Sequence, residues 1–406
     1  MLSQTCISPL FYSSIAMGFL SMDPNRSQWE FSRANGKFTM MRRVATFTGM
    51  AAGAICLAGV CGWIRAQEPG NDKSEGTVVI DHLAVPLSNL LSPEARAYMV
   101  HLLVDKPFDG GPSADQDIRG FRARQDEIMR WFLAPIEKRY PVKIEERTIG
   151  GVFTQVVTPQ SGIAEKNRDR VLLNVHGGGF VSGARTSSLI ESIPIASIER
   201  IKVISIDYRM GPESKFPAAS EDVAAVYREV LKDYRPQHIG LYGCSAGGML
   251  TGMSIAWFEK HNLPNPAAIG ILCASLGRMF AGDSAHVVGP LMGMQAPPAS
   301  HPGAAAPSIE FPAYLGNADP NDPLVYPINS PDLLAKFPPT LLITSTRGFE
   351  FSSAIDSCNV LNHAGVAAEL HVWDGLPHAF WYNSELPESR EAYEVIAKFF
   401  DRHLHP

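Results

Sequence analysis

The stretch IGLYGCSAGG, residues 239–248, joins a short apolar run to a segment with helical patterning. A serine at the centre of Gly-x-Ser-x-Gly, placed between a strand and a helix, sits on a sharp turn that projects its hydroxyl above the sheet. The flanking glycines let the strand and the helix approach each other closely. The pattern therefore predicts Ser245 as a nucleophile and the N–H of Ala246, at the start of the helix, as a donor to negative charge.

A second glycine-rich stretch, HGGGF at residues 176–180, follows directly after another apolar run. Consecutive glycines leave backbone N–H groups unobstructed by side chains, so that they can donate to the oxyanion of a tetrahedral intermediate. We assign this role to Gly177 and Gly178, with Ala246 as the third donor. A phosphate-binding loop would end in Gly-Lys-Ser/Thr, and no such ending is present. His176 is expected to orient the loop rather than to act as a base.

A histidine near the C-terminus is the candidate general base. His378 follows the last predicted strand, residues 368–373. A base at this point completes the chain order nucleophile, acid, base that often accompanies the serine motif. His371 is a rival, but it lies in the middle of the strand and should point into packing. The sequence therefore predicts that His378 accepts the proton of the serine.

Apolar strands alternate with amphipathic helical segments along most of the chain. The predicted strands are 171–175, 201–206, 239–243, 267–272, 340–344 and 368–373, preceded by an antiparallel pair within 143–158. This alternation predicts an α/β class protein with a mostly parallel central sheet and helices on both faces. Two regions interrupt the alternation, at about residues 92–140 and 278–311. Both are expected to form a helical cap over the sheet edge where ligands bind, with apolar residues such as Phe280 lining or covering the pocket.

Together these motifs resemble the hormone-sensitive-lipase-like family of bacterial esterases and lipases, which has the α/β-hydrolase fold. The segment DYRMGPE at 207–213, followed by FPAA at 216–219 and by Asp222, adds to the resemblance. The family has Leu-Ala where this chain has Met210-Gly211. The resemblance covers roughly residues 80–405. It implies a carboxylic-ester hydrolase with no cofactor and no metal, and a cap built partly from the N-terminal helices.

The position of the triad acid departs from the family pattern. The loop after the strand at 340–344 reads STRGFE, residues 345–350, and Gly348 stands where the family has an aspartate. That acid normally holds the histidine tautomer and stabilises the imidazolium. Glu350 is one replacement, Asp356 within a predicted helix is a weaker one, and the third alternative is a slow enzyme without an acid. A vacant position predicts that Gly348→Asp raises turnover, whereas an acid at Glu350 predicts that Glu350→Gln lowers it.

The N-terminal region has the composition of a secretory leader. The basic run MMRR at 40–43 precedes the uncharged stretch 44–64, and Ala66 is a small residue suited to a cleavage site. We expect translation to start at Met40 or Met41 and the mature protein to be exported, periplasmic or secreted, without stable membrane association. A membrane anchor at 44–64 is the alternative. The predicted organisation is an N-terminal extension with signal peptide at 1–66, a linker at 67–80 and an α/β-hydrolase domain at 81–406.

Composition excludes several other classes of function. The 406 residues are 45% hydrophobic and 19% charged, which is typical of a globular protein. A formal net charge of −6 implies no basic face, so we expect no nucleic-acid partner. The six cysteines are scattered, three of them within the leader region, and predict neither a disulfide framework nor a zinc site.

The sequence leaves three functions open. The first is an esterase that acts on small to medium acyl esters through an acyl-enzyme on Ser245. The second is a non-catalytic ligand-binding protein that uses the same scaffold. The third retains the nucleophile but takes an amide, a carbamate or an acetylated sugar, because fold and triad do not distinguish these substrates. The oligomeric state is equally open, with a homodimer as one candidate.

Overall fold

The computed structural model describes residues 30–34, 37–41, 84–106, 117–293 and 310–405. The chain divides into two compact units, Met1–Ala84 and Val85–Pro406. In the first unit, strands β1 (Glu30–Ala34) and β2 (Lys37–Met41) form an antiparallel hairpin, which the sequence pattern did not indicate. The rest of the predicted leader, and the linker, lie outside the described residues, so the signal peptide stays a prediction.

An eight-stranded sheet forms the centre of the second unit. Its strands are β3 (Val142–Ile149), β4 (Val152–Pro159), β5 (Val171–Val175), β6 (Lys202–Ile206), β7 (Ile239–Cys244), β8 (Ala268–Leu272), β9 (Thr340–Arg347) and β10 (Ala368–Pro377). The order across the sheet is β10-β9-β8-β7-β5-β6-β4-β3. The pairs β3–β4 and β4–β6 are antiparallel and all other pairs are parallel. The predicted, mostly parallel sheet is therefore confirmed.

Helices cover both faces of this sheet. The α-helices of the second unit are α1 (Pro93–Val100), α2 (Ile118–Arg139), α3 (Ser187–Glu199), α4 (Ala218–Val230), α5 (Ala246–Lys260), α6 (Ser284–Leu291), α7 (Pro312–Leu315), α8 (Pro331–Leu334), α9 (Phe351–His363) and α10 (Pro387–His403). Short 3₁₀ turns lie at Glu165–Asn167, Pro236–His238, Pro327–Asn329 and Phe380–Tyr382. Strand β5 shows why both faces are apolar: Leu173 belongs to the core with α4, α5 and α9, and Leu172 to the core with α3 and α10.

The helical pattern at 92–140 forms the part of the second unit that we call the cap: α1, a π-helical turn at His101–Asp105, and α2. Ser92 caps α1 by accepting a hydrogen bond from the N–H of Ala95 at 3.0 Å, and Asp117 caps α2 in the same way. Across the described ranges, no helix combines the length and the apolar character needed to cross a bilayer.

Candidate active site

The turn between β7 and α5 presents Ser245 at the carboxyl edge of the sheet. Its backbone has φ 57° and ψ −125°, a region that non-glycine residues occupy at a cost of about 1–3 kcal/mol. A Cβ on Gly243 or Gly247 would lie 2.1 or 1.9 Å from the carbonyl oxygen of Val175. Only glycine fits these two positions, which explains the spacing of the motif. The surrounding β5 and α5 thus hold the serine in a conformation that it would not adopt alone.

Three side chains form a continuous hydrogen-bonded chain at this edge. The Oγ of Ser245 lies 3.0 Å from Nε2 of His378, and Nδ1 of His378 lies 2.7 Å from Oε2 of Glu350. Glu350 is fully buried, and its other oxygen accepts a hydrogen bond from the hydroxyl of Thr344 at 2.9 Å. With the proton on Nδ1, the imidazole donates to the carboxylate and accepts from the serine.

The alternatives for the acid are separated by their positions. Glu350 ends the turn between β9 and α9 and reaches the histidine, whereas Asp356 is exposed on α9 and borders a different cavity. A Cβ on Gly348 would lie 2.5 Å from Oε1 of Glu350. The carboxylate of Glu350, two residues further along the chain, therefore fills the space beside Gly348. The expectation that Gly348→Asp raises turnover is revised, because the added side chain would collide with Glu350.

An aromatic ring that the sequence analysis missed supports the histidine. Phe349 stacks on the imidazole of His378 with ring centroids 4.2 Å apart, and Phe280 stacks on Phe349 at 4.5 Å. Phe280 therefore packs on the outer side of Phe349 and is not among the residues that border the cavity beside Ser245, so the lining part of the expectation is wrong. Met279 from the same region is fully buried in the core.

Two glycines of the loop after β5 border the cavity. Gly178 and Gly179 border the cavity with φ values of 120° and 62°, which glycine adopts readily. Within the described part of the chain, neither N–H makes a hydrogen bond, and the same holds for Ala246. The N–H of Gly177 instead donates to Oε1 of Glu191 at 2.8 Å. The prediction that the N–H of Gly177 donates to an oxyanion is therefore wrong, because Glu191 already accepts it, whereas the N–H groups of Gly178 and Gly179 have no partner among the described residues.

His176 lies beneath the loop rather than in the cavity. It is fully buried, its Nδ1 donates to the carbonyl of Gly177 at 2.8 Å, and its ring stacks on Tyr208 at 4.4 Å. The Tyr208 hydroxyl donates to the carbonyl of His176 at 2.7 Å. Burial lowers the pKa of His176, so the ring stays neutral. These contacts fit an orienting role. The rival base His371 is half-exposed on β10, 3.8 Å from Glu369.

A cavity of about 530 Å³ opens beside Ser245 and His378. The cap supplies most of its apolar wall. The residues that the cap contributes are Tyr98, Leu102, Phe121, Gln125, Ile128, Met129 and Phe132. Pockets of about 300–1,000 Å³ with apolar walls and few polar groups are typical of small-molecule sites. The cavity beside Ser245 therefore has the size and the apolar wall of a small-molecule site.

Arg122 of α2 connects the cap to the sheet edge. Its guanidinium donates to both oxygens of Glu213 at 2.7 Å, to the carbonyl of Gly211 at 2.9 Å and to that of Val181 at 2.7 Å. The sequence showed residues 207–213 only as part of the family resemblance and did not indicate this partner. Through these hydrogen bonds, the segment 207–213 holds α2 of the cap in place.

Charged and sulfur-containing side chains offer no metal centre in the ranges that the structure covers. No group of three or more His, Cys, Asp or Glu side chains there is arranged to hold an ion. Cys244, Cys273 and Cys358 are buried and unbridged.

Comparison with known proteins identifies the class. A family model described as the alpha/beta hydrolase fold matches residues 172–382. An acetyl-hydrolase from Streptomyces hygroscopicus is 29% identical over 263 residues, which cover 62% of this chain and 80% of that protein. The solved structure of esterase E25 is 27% identical with a TM-score of 0.69, covering 82% of this chain and 100% of that one. An esterase from the bacterial hormone-sensitive lipase family is 26% identical with a TM-score of 0.64, covering 77% and 99%.

The chain therefore belongs to the α/β-hydrolase family. Its eight-stranded sheet agrees with that family, and the esterases that it resembles support the predicted relation to hormone-sensitive-lipase-like enzymes. Fold and relatives together support a hydrolase of the esterase type.

Proposed function

We propose that this protein is a serine carboxylesterase in which Ser245 is the nucleophile, His378 the general base and Glu350 the acid. The single observation that supports this most is the hydrogen-bonded chain from Ser245 Oγ through His378 to the buried Glu350 carboxylate, with distances of 3.0 and 2.7 Å. Side chains from three separate loops meet there in the order that nucleophilic catalysis needs. Because this series of hydrogen bonds is unbroken, it argues against a triad weakened by the glycine at position 348.

In acylation, Ser245 Oγ attacks the carbonyl carbon of the ester while His378 Nε2 takes the hydroxyl proton. The negative charge moves to the carbonyl oxygen, where the N–H groups of Gly178, Gly179 and Ala246 would donate to it. Collapse of the tetrahedral intermediate breaks the bond to the leaving alcohol, which receives the proton from His378. Glu350 keeps the imidazole in the required tautomer and stabilises its positive charge.

In deacylation, a water molecule takes the place of the alcohol. His378 removes its proton as the oxygen attacks the acyl carbon, and the same N–H donors stabilise the second oxyanion. Return of the proton to Ser245 releases the carboxylic acid and restores the free enzyme. No cofactor enters either half of this cycle.

The substrates are proposed to be small to medium acyl esters. The cavity of about 530 Å³ and its apolar wall support this range, and the acetyl-hydrolase from Streptomyces hygroscopicus supports its short end. Export by the predicted leader at 1–66 is proposed on the sequence alone. Sequencing the N-terminus of the mature protein would test the leader, with a start just after Ala66 as the expected result.

The function is tested by covalent labelling and by hydrolysis of p-nitrophenyl acetate, butyrate and octanoate. A fluorophosphonate should label Ser245, and Ser245→Ala should lose labelling and about 10⁵-fold or more in kcat. Ser254→Ala is the matched control, because Ser254 is buried on the same helix and its hydroxyl has no partner among the described residues. A wild-type protein that is folded but neither labelled nor active on any ester would favour the ligand-binding function instead.

A further inference from the structure

A buried carboxylate that takes no part in the proposed proton transfers lies beneath the site. Glu191 is on α3, its side chain is inaccessible to solvent, and ten of the 13 residues of this helix are buried. Acidic side chains are almost never fully buried without partners. A buried carboxylate here therefore calls for an account of what holds it and what it holds.

Four donors converge on Glu191. Its Oε1 accepts from the N–H of Gly177 at 2.8 Å and from the hydroxyl of Tyr382 at 2.5 Å. Its Oε2 accepts from Nδ2 of Asn174 at 2.8 Å and from the N–H of Cys244 at 3.2 Å. All four donors lie outside α3, the helix that carries Glu191. The carboxylate is thus saturated with donors, as a buried charge requires.

Three of these partners adjoin the machinery of the proposed reaction. Gly177 directly precedes the two glycines that face the cavity, and Cys244 directly precedes Ser245. Tyr382 lies four residues after His378 and also borders the cavity. One side chain therefore ties together the oxyanion loop, the nucleophile turn and the loop of the general base.

We propose that Glu191 is a positioning residue that fixes the oxyanion loop and the nucleophile turn relative to the loop of His378, an inference that rests on the proposed esterase function. Because its bond to Gly177 engages the first N–H of the glycine loop, the next two N–H groups are left for the substrate oxygen. Loss of this bond would let the loop shift. A displacement of about 1 Å at a reacting centre is enough to lower a rate about 100-fold.

The close fit around the carboxylate supports the proposal. A Cβ on Gly177 would lie 2.9 Å from the Tyr382 hydroxyl and 3.4 Å from Oε1 of Glu191, so glycine is needed there for the approach. Asn174 is itself held by the hydroxyl of Ser205, which donates to its Oδ1 at 2.8 Å. The network therefore extends from α3 through β5 to β6, and it has little freedom to rearrange.

The energetics point in the same direction. Burial raises the pKa of Glu191 to about 7 in spite of its four hydrogen bonds. Replacing a buried ionic group by well-packed apolar residues is often neutral or stabilising, so stability alone is a weak reason to place a carboxylate here. Orientation of three loops is a role that an apolar side chain could not perform.

The test is Glu191→Gln, which keeps the size of the side chain but turns an NH₂ group toward two of the donors. We expect kcat for p-nitrophenyl butyrate, per active site counted by endpoint fluorophosphonate titration, to fall about 100-fold. KM should stay within about threefold, because the cavity walls are unchanged. Ser192→Ala is the matched control, since Ser192 is the next residue on α3, is buried and makes none of the four hydrogen bonds to the Glu191 carboxylate. It should keep the wild-type kcat.

A double-mutant cycle with Tyr382→Phe sharpens the test. Removing one of the four donors should lower kcat per site about tenfold, and Glu191→Gln/Tyr382→Phe should be no slower than Glu191→Gln alone, because both changes break the same bond. Additive losses would overturn the proposal. So would a Glu191→Gln enzyme with fewer titratable sites or a lower Tm but an unchanged kcat per site, because that result describes a purely structural residue.

Failure of this inference is distinguishable from failure of the proposed function. If wild type and Ser192→Ala hydrolyse esters and Glu191→Gln does so equally well, only the role of Glu191 is wrong. If wild type itself neither labels nor turns over, the esterase function is wrong.

Discussion

The cavity is bounded by two regions that are held in very different ways. In the cap, α2 buries only three of its 22 residues, whereas α5, which follows Ser245, buries 12 of its 15. The loops at the carboxyl edge of the sheet are fixed by glycines with no room for a Cβ and by two fully buried carboxylates, Glu191 and Glu350. The cap is attached through its apolar underside and a few polar contacts, such as Arg122 with Glu213.

The difference indicates a division of labour. Groups that touch the reacting atoms need to be held within fractions of an ångström, and the dense packing around the sheet provides that. The cap contributes shape, and a lightly packed helix tolerates substitution. We therefore expect changes at the carboxyl edge to reduce turnover of every ester, and changes in the cap to alter which ester is preferred.

The strongest test of the edge is Glu350→Gln. An amide at this position cannot stabilise the imidazolium and favours the wrong tautomer, so we expect kcat to fall about 10³- to 10⁴-fold for all chain lengths. Steady-state kinetics on acetate, butyrate and octanoate esters would measure it. Full activity in this variant would exclude Glu350 as the acid.

The second test measures how burial of the Glu191 carboxylate makes the free energy of unfolding depend on pH. The pKa of Glu191 is raised from its ordinary 4.5 to about 7 by burial, so between these values the native state binds a proton that the unfolded state has lost. Its contribution to stability is thus fully present below about pH 4.5 and is lost as the pH rises through 7.

Relative to Glu191→Gln, which does not titrate at this site, the free energy of unfolding of wild type should fall by about 2–3 kcal/mol from pH 5 to pH 8. Urea unfolding of both proteins across this range measures the difference. A difference that is constant or rises with pH would show that Glu191 is charged in the native state throughout.

The third test is Gly348→Asp. Its Cβ would lie 2.5 Å from Oε1 of Glu350, and a second carboxylate would repel the first. We expect kcat to fall about 10²-fold as Glu350 is displaced from His378. Gly348→Ala separates the steric part from the charge. A rise in turnover would mean that the new aspartate serves better than Glu350.

The smallest effect is expected in the cap. Met129 is half-buried and borders the cavity, so Met129→Trp should fill part of it. We expect kcat/KM for the octanoate ester to fall about tenfold while that for acetate stays within about twofold. Met129→Leu, of similar volume, is the control. An equal loss on acetate would indicate that the cap also positions the reacting groups, which would contradict the division of labour between the cap and the carboxyl edge.

Motifs made of neighbouring residues could be predicted from the sequence. The elbow around Ser245 follows from glycines two positions away on each side, and the base candidate follows from its place after the last strand. The mostly parallel sheet followed from short apolar runs alternating with helices. All of these signals are local, and backbone sterics and periodicity are enough to interpret them.

Features that depend on partners far apart in the chain could not be predicted from the sequence. The choice between Glu350, Asp356 and no acid stayed open, because a shift of two residues in a turn alters where a carboxylate points. Gly177 was assigned as an oxyanion donor because nothing nearby in sequence shows that Glu191 receives its N–H. Phe280 was expected to line or cover the pocket, and only the structure shows that its ring stacks on Phe349.

What the amino-acid sequence determined by itself is the nucleophile turn, the glycine loop and the sheet that carries them, because each is encoded by residues within a few positions of one another. The tertiary structure alone decided which acid reaches His378, which N–H groups of the glycine loop are already engaged and which residues wall the cavity. Those outcomes depend on hydrogen bonds and packing between segments that are far apart in the chain, such as α3 with the loops after β5 and β10.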